Sequence, residues 1–382
     1  MEGAVEFLRK MLRLKSVNPP GDEEPVAKLI ESLLQNNGIE VVVKNLGENR
    51  AYLVARLKGS GKNKSLVFTG HMDTVPPGEI EWEFDPHAAL EHEGRIYGRG
   101  ASDMKSGLAA MAWAMLQIAR SGKVLDGDLV LAATAGEEVD CLGARAMVED
   151  GLLQGVGAMV VGEPSNGEIF IAHKGALWLE VISYGKTAHG SMPDQGVNAI
   201  EHMNTAINRL HERFQFRFSP DPLLGGPTLN LATISGGVKT NVVPDKCQLQ
   251  IDIRTVPGQS HGEIIQDIQA LLTEIERESL AKFELRVLND KAPVGTPADD
   301  EFVKLVQGVA QDTFAREFGL QGVRYFTDAS VFSVAAGGVL PVVIWGPGDE
   351  KLAHQPNEYV EVEKFRSAIS FYKHLAEKYL GA

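Results

Sequence analysis

The spacing of apolar and polar positions changes twice along the chain. Near the start, Val5, Leu8, Met11 and Leu12 recur at helical spacing between charged residues, which predicts an amphipathic helix. Up to about residue 172, short apolar runs then alternate with helix-forming stretches. Residues 66–69, 129–135 and 159–161 have strand length, while residues 104–120 are rich in Ala, Leu and Met and predict a helix. This alternation predicts a mostly parallel sheet flanked by helices. From about residue 174 the period becomes two. Cys247, Leu249, Ile251 and Ile253 alternate with Gln248, Gln250, Asp252 and Arg254, and Phe283, Leu285 and Val287 repeat the pattern. Such alternation belongs to antiparallel strands with one face packed and one exposed. Residues 261–279 read as an amphipathic helix, and a second helix is expected after Asn198. Pro293 and Pro297 mark a breaker-rich link, after which a buried-type run at 339–345 and a last helix at about 360–380 restore the first texture. The expected fold is α/β: one domain of residues 1–173 and 293–382, interrupted by an α+β module of residues 174–292.

Composition narrows the classes. A length of 382 residues fits roughly two to three domains of about 150 residues, and 44% hydrophobic with 23% charged residues is ordinary for a packed protein. Disorder, collagen and coiled coil fit poorly. Acidic residues outnumber basic ones 51 to 37, a net charge of −14, which argues against nucleic acid as the main partner. No apolar run is long enough to span a membrane, and the N-terminal residues lack the features of a secretory signal. Cys141 and Cys247 make no disulfide framework and suit a reducing compartment, so a cytoplasmic location is expected.

Five polar motifs follow apolar runs or open helices. In Gly70-His71-Met72-Asp73, side chains two apart share a face of extended chain, so a carboxylate can orient a histidine. Asp103 sits where a helix begins, where a plain N-cap is the ordinary reading. Glu137 and Glu138 are adjacent carboxylates that repel unless a cation or proton intervenes. Glu163 follows another strand, and His354 lies in the last long loop. GSGKNKS at 59–65 fails as a phosphate loop and reads as a hairpin turn. Each motif alone is ordinary. Together they put two His and three carboxylates at the ends of successive strands, a ligand set suited to zinc, with cobalt or manganese possible. With one bridging carboxylate, two metals would each keep open positions, as a catalytic site requires.

SVNPPG, GHMDTVP, GRGASDMKSG, AGEE, GEPS and AHQPNE occur in the order found in the zinc-dependent aminoacylase, desuccinylase and carboxypeptidase family, which the whole chain resembles. Acetylornithine deacetylase and succinyl-diaminopimelate desuccinylase are its best-known members. The resemblance implies a zinc exopeptidase-like catalytic domain and an inserted lid and dimerisation domain. It implies two Zn²⁺, for which Co²⁺ or Mn²⁺ can substitute. His71, Asp103 and Glu163 would hold one, and Asp103, Glu138 and His354 the other. Asp73 would orient His71, and Glu137 would be the general base. A cis peptide is implied at Asp103-Met104. His189, in TAHGS, would reach the active site of a partner subunit, and Asn241 and Arg254 would contact substrate. The implied activity is a hydrolase that removes an acyl group from a small N-acyl amino acid through a metal-bridging hydroxide. The alternative is a dipeptidase or carboxypeptidase using the same metals, and a remoter one is a non-catalytic binding protein on this fold. A homodimer through the lid is expected.

Overall fold

The structure is a computed structural model and describes residues 1–381. The chain divides into two compact units. The first comprises Met1–Ala172, Val294–Gly322 and Thr327–Ala382; the second comprises His173–Pro293 and Val323–Phe326.

The first unit is a mixed α/β domain. Strands Leu129–Thr134, Ser65–His71, Val156–Val161 and Val342–Ile344 lie side by side in that order and are mutually parallel. Every residue of Ser65–His71 and of Leu129–Thr134 is buried. Sheets covered on both faces need such uninterrupted apolar strands, and this explains runs without alternation. Arg50–Leu57 pairs antiparallel with Leu129–Thr134 on one side, and Ile169–His173 pairs antiparallel with Val342–Ile344 on the other. Helices Lys105–Ser121 and Val362–Leu380 contribute much of the buried core, with Leu108, Met111, Phe365 and Tyr372 inaccessible to solvent. Helix Glu2–Arg13 appears where the spacing of Val5, Leu8, Met11 and Leu12 predicts it.

Trp345 closes one end of this core. Its ring centroid is 4.0 Å from that of Phe371, its indole N–H donates to the Gly167 carbonyl at 2.9 Å, and the Tyr372 hydroxyl donates to its carbonyl at 2.6 Å. Trp345→Ala removes this packing and leaves the Gly167 carbonyl without a donor. It should cost about 3–5 kcal/mol in a urea unfolding titration.

The second unit is an antiparallel four-stranded sheet in the order Thr228–Gly236, Lys246–Thr255, Gly175–Tyr184, Lys282–Lys291. Helices Ala199–Arg213 and His261–Glu278 share its apolar core. Asn198 caps the first helix by accepting from the N–H groups of Ile200 and Glu201, and Ser260 caps the second by accepting from Glu263.

Several expectations need correction. Residues 59–65 do not form a hairpin, because the strands they join are separated by Leu129–Thr134; the segment crosses over that strand, where Gly59 N–H donates to Asp128. The run 339–345 is only partly strand. Val339 is exposed, and the strand starts after Pro341, which has no N–H to give a ladder. The alternation through Val287 breaks at a register shift between Val287 and Asn289, leaving Val287 and Leu288 both exposed. The last helix starts at Val362, since Tyr359–Glu361 pairs with Arg95–Tyr97 as a strand. Among the described residues no helix is long and apolar enough to cross a membrane.

Candidate metal centre

The carboxyl ends of the parallel strands converge within the first unit. His71 ends its strand, Glu137 and Glu138 follow Leu129–Thr134, and Glu163 follows Val156–Val161. Asp103 does not come from this sheet. It lies between Arg95–Tyr97, part of a separate three-stranded sheet, and helix Lys105–Ser121. His354 lies in the loop after Val342–Ile344 and has a left-handed backbone, φ 62°. Close backbone approaches bring these segments together. A Cβ on Gly107 would come within 2.0 Å of the Gly162 carbonyl, so only glycine lets the helix after Asp103 rest against the loop that carries Glu163.

Asp103 faces both histidines. Its Oδ1 is 3.1 Å from His71 Nε2, and its Oδ2 is 3.4 Å from His354 Nε2. Glu163 Oε1 lies 3.6 Å from His71 Nε2, and Glu138 Oε2 lies 3.0 Å from His354 Nε2. Asp103 does not cap the helix, and the peptide bond to Met104 is cis. His71 Nδ1 is 3.0 Å from the main-chain carbonyl of Asp73, which can only accept, so Nδ1 carries the proton and Nε2 is free to act as a ligand.

The geometry and charge suit divalent metal. Two bonds of about 2.1 Å at a tetrahedral angle separate ligand atoms by about 3.4 Å, within the observed spread of 3.0–3.6 Å. With both imidazoles neutral, the crowded carboxylates of Asp103, Glu137, Glu138 and Glu163 are a concentration of negative charge that divalent cations would offset. Without metal, protons must balance these acids. Burial opposes a charge on His71, yet Glu163, Asp103 and Asp73 outweigh it and raise the ring well above its usual range. Contacts with Asp103 and Glu138 push His354 up to about 10. Burial, reinforced by neighbouring carboxylates, raises Glu137, Glu138 and Glu163. Asp103 moves the other way, because hydrogen bonds from His354 and His71 overcome its burial.

Asp73 interacts with more than His71. Its carboxylate is 3.6 Å from the ring but accepts N–H bonds from Gly136 at 3.0 Å and from Glu137 and Glu138 at 3.3 Å. Asn18 Nδ2 donates to its other side at 2.9 Å, which gives the SVNPPG motif a structural task. This clamp fixes the backbone of Glu137 and Glu138. The Glu137 side chain is 6% exposed and takes its place within the cluster, one of its oxygens lying within 4.8 Å of ligand atoms of His71 and Glu163.

Three further predicted residues belong to the second unit. His189 and Asn241 lie on adjoining loops, where Gly190 N–H donates to the Asn241 carbonyl at 2.9 Å. His189 Nδ1 accepts the Ser191 N–H at 3.2 Å, which leaves Nε2 as the protonated nitrogen. Arg254 lies near the other end of strand Lys246–Thr255, paired with Asp252 at 3.0 Å. Sequence reasoning gave no individual role to Glu358, Asp328 or Arg99. Glu358 and Asp328 are buried acids near the centre, and Arg99 is a buried cation paired with Glu358. A signal was available for Arg99 and Glu358, from their places in GRGASDMKSG and AHQPNE.

The sequence profile of peptidase family M20/M25/M40 matches residues 67–378. The chain is 31% identical to an acetylornithine deacetylase of Vibrio cholerae, over 94% of this chain and 92% of that one. It is 27% identical to a probable succinyl-diaminopimelate desuccinylase of Staphylococcus epidermidis, over 98% and 97%. Among solved structures, an M20 family metallo-carboxypeptidase from Sulfolobus solfataricus shares the fold with a TM-score of 0.78 at 20% identity, covering 99% of each chain.

Proposed function

The chain belongs to peptidase family M20/M25/M40, whose members are metal-dependent hydrolases of amide bonds, and from that premise we propose that it is a deacylase of small N-acyl amino acids. The observation that carries the reading is the placement of Asp103 between His71 and His354, with the carboxylate of Glu137 beside them.

In this reading His71, Asp103 and Glu163 would hold one Zn²⁺, and Asp103, Glu138 and His354 a second, with Co²⁺ or Mn²⁺ as substitutes. When bound, such ions acidify water and polarise an amide carbonyl. Glu137 takes the proton of the attacking water and later delivers it to the departing amine, so one carboxylate serves as base and then acid. Asp73 keeps the His71 tautomer and the 136–138 backbone in place. From the motif resemblance, residues 174–292 act as a lid and dimerisation domain, His189 supplies a donor to the developing oxyanion, and Asn241 and Arg254 contact substrate. A protonated Nε2 on His189 supports the donor role. His189→Ala should lower kcat about 10²–10³-fold with metal content unchanged, as loss of one oxyanion donor does. Light scattering should return about twice the 41.4 kDa of the chain.

The deciding assay compares metal-loaded protein on N-acetyl, N-succinyl and N-formyl amino acids with its action on dipeptides. Higher kcat/KM on an acyl amino acid supports the proposal; higher kcat/KM on dipeptides replaces it with the peptidase reading.

A further inference from the structure

Glu358 is fully buried and is not one of the proposed ligands. Its Oε1 accepts the N–H groups of Ser102 at 2.7 Å and of Asp103 at 2.9 Å. Its Oε2 accepts the Gly100 N–H at 3.1 Å and the guanidinium of Arg99. Burial raises the carboxyl to about 7, and Arg99 with the backbone donors opposes that shift. Four donors thus converge on two oxygens and fix the segment that ends in Asp103. The Glu358 carbonyl also accepts the Gly98 N–H at 2.9 Å. Glu358 is only four positions beyond His354, and the Ser102 hydroxyl donates to the Asp349 carbonyl at 2.8 Å. The loops of Asp103 and His354 are therefore tied to each other at two points. By contrast, His71 and Glu163 are placed by the ends of neighbouring parallel strands.

We propose that Glu358 is a positioning residue that fixes the bridging carboxylate of Asp103 against His354, and so sets the affinity of the position assigned to Asp103, Glu138 and His354. The inference rests on the two-metal reading above. Loss of the Glu358 carboxylate releases the Asp103 segment directly and, through the tie between the two loops, loosens that segment against His354. At the other position it disturbs only Asp103, leaving His71 and Glu163 on their strands. Glu358→Gln keeps the shape of the side chain, but one end becomes an NH₂ group. Whichever way the amide lies, two donors then face a donor.

The test is equilibrium dialysis of the full chain against Co²⁺, with the visible absorption of the bound ion as a second readout. The wild type should take up two ions. Glu358→Gln should keep one at near wild-type affinity and bind the second about 10- to 100-fold more weakly, the range typical of lost support behind a ligand. Retention of both ions at wild-type affinity overturns the inference, as does equal weakening of both, which marks a general structural role. A wild type that binds no metal overturns the two-metal reading itself. If Glu358→Gln does not fold, Glu358→Asp keeps the charge, shortens the reach by one methylene, and should give the same stepwise loss. The unfolding midpoint in chelator separates loss of fold from loss of metal.

Discussion

Glu137→Gln is expected to lower kcat by about 10²–10⁴ while leaving the metal content at the wild-type value. The two effects separate because side chain and main chain of this residue do different things. The Glu137 N–H helps bind Asp73 and survives the substitution, so the loop keeps its shape. An amide keeps the size and shape of the side chain and removes only its charge and its basic oxygen. Only the capacity to take and return a proton is lost. Glu138→Gln is the control. Its carboxylate approaches His354 to 3.0 Å, so that substitution should lower the metal count together with activity. Metal analysis beside initial rates gives both numbers. Activity of Glu137→Gln above a tenth of wild type would remove the base from Glu137.

What the sequence made legible was local. Along Lys246–Thr255, Cys247, Leu249, Ile251 and Ile253 are all buried between partly exposed neighbours, so period alone described the strand. The helix after Asn198 was readable because its cap lies two and three residues from the groups it satisfies. Errors arose where pairing partners are distant in the chain. Nothing in 59–65 reveals that a third strand intervenes between its flanking strands, and nothing near Asp103 reveals that its preceding strand belongs to a different sheet. Glu358 shows the same limit in the site. Its place in AHQPNE marks it in the sequence but not its task, since the donors that justify burying its charge come from residues 99–103, more than 250 positions away. The proposed ligands were legible for the opposite reason: five motifs in a fixed order are informative even when their spatial neighbours are unknown.

Stripping the metal should destabilise the protein, and the loss should grow as pH rises from about 6 to 9. In the metal-free chain, His71, His354, Glu137, Glu138 and Glu163 all have folded pKa values above their unfolded ones. For the histidines, the stabilisation is complete below the unfolded value of 6.5 and is lost as pH climbs; for His354 that loss extends through about 10. For the glutamates, burial makes ionisation costly, so stability falls as pH rises above their unfolded value of 4.5. Both kinds of group leave the native chain with more bound protons than the unfolded chain, and stability then decreases with pH. Asp103 has the opposite sign, but its contribution is lost only as pH falls below its ordinary 3.8, outside this window. Metal binding displaces the same protons and removes most of the slope. Each site should add about 2.7 kcal/mol when free metal is a hundred times its Kd, and about 4.1 kcal/mol at a thousand times. Thermal unfolding with chelator and with excess Zn²⁺, across pH 6 to 9, measures the gap between the two forms. A gap that stays constant or narrows with pH would mean that protons and metal do not compete for one cluster, and the assignment of His71, Asp103, Glu138, Glu163 and His354 as ligands would fall.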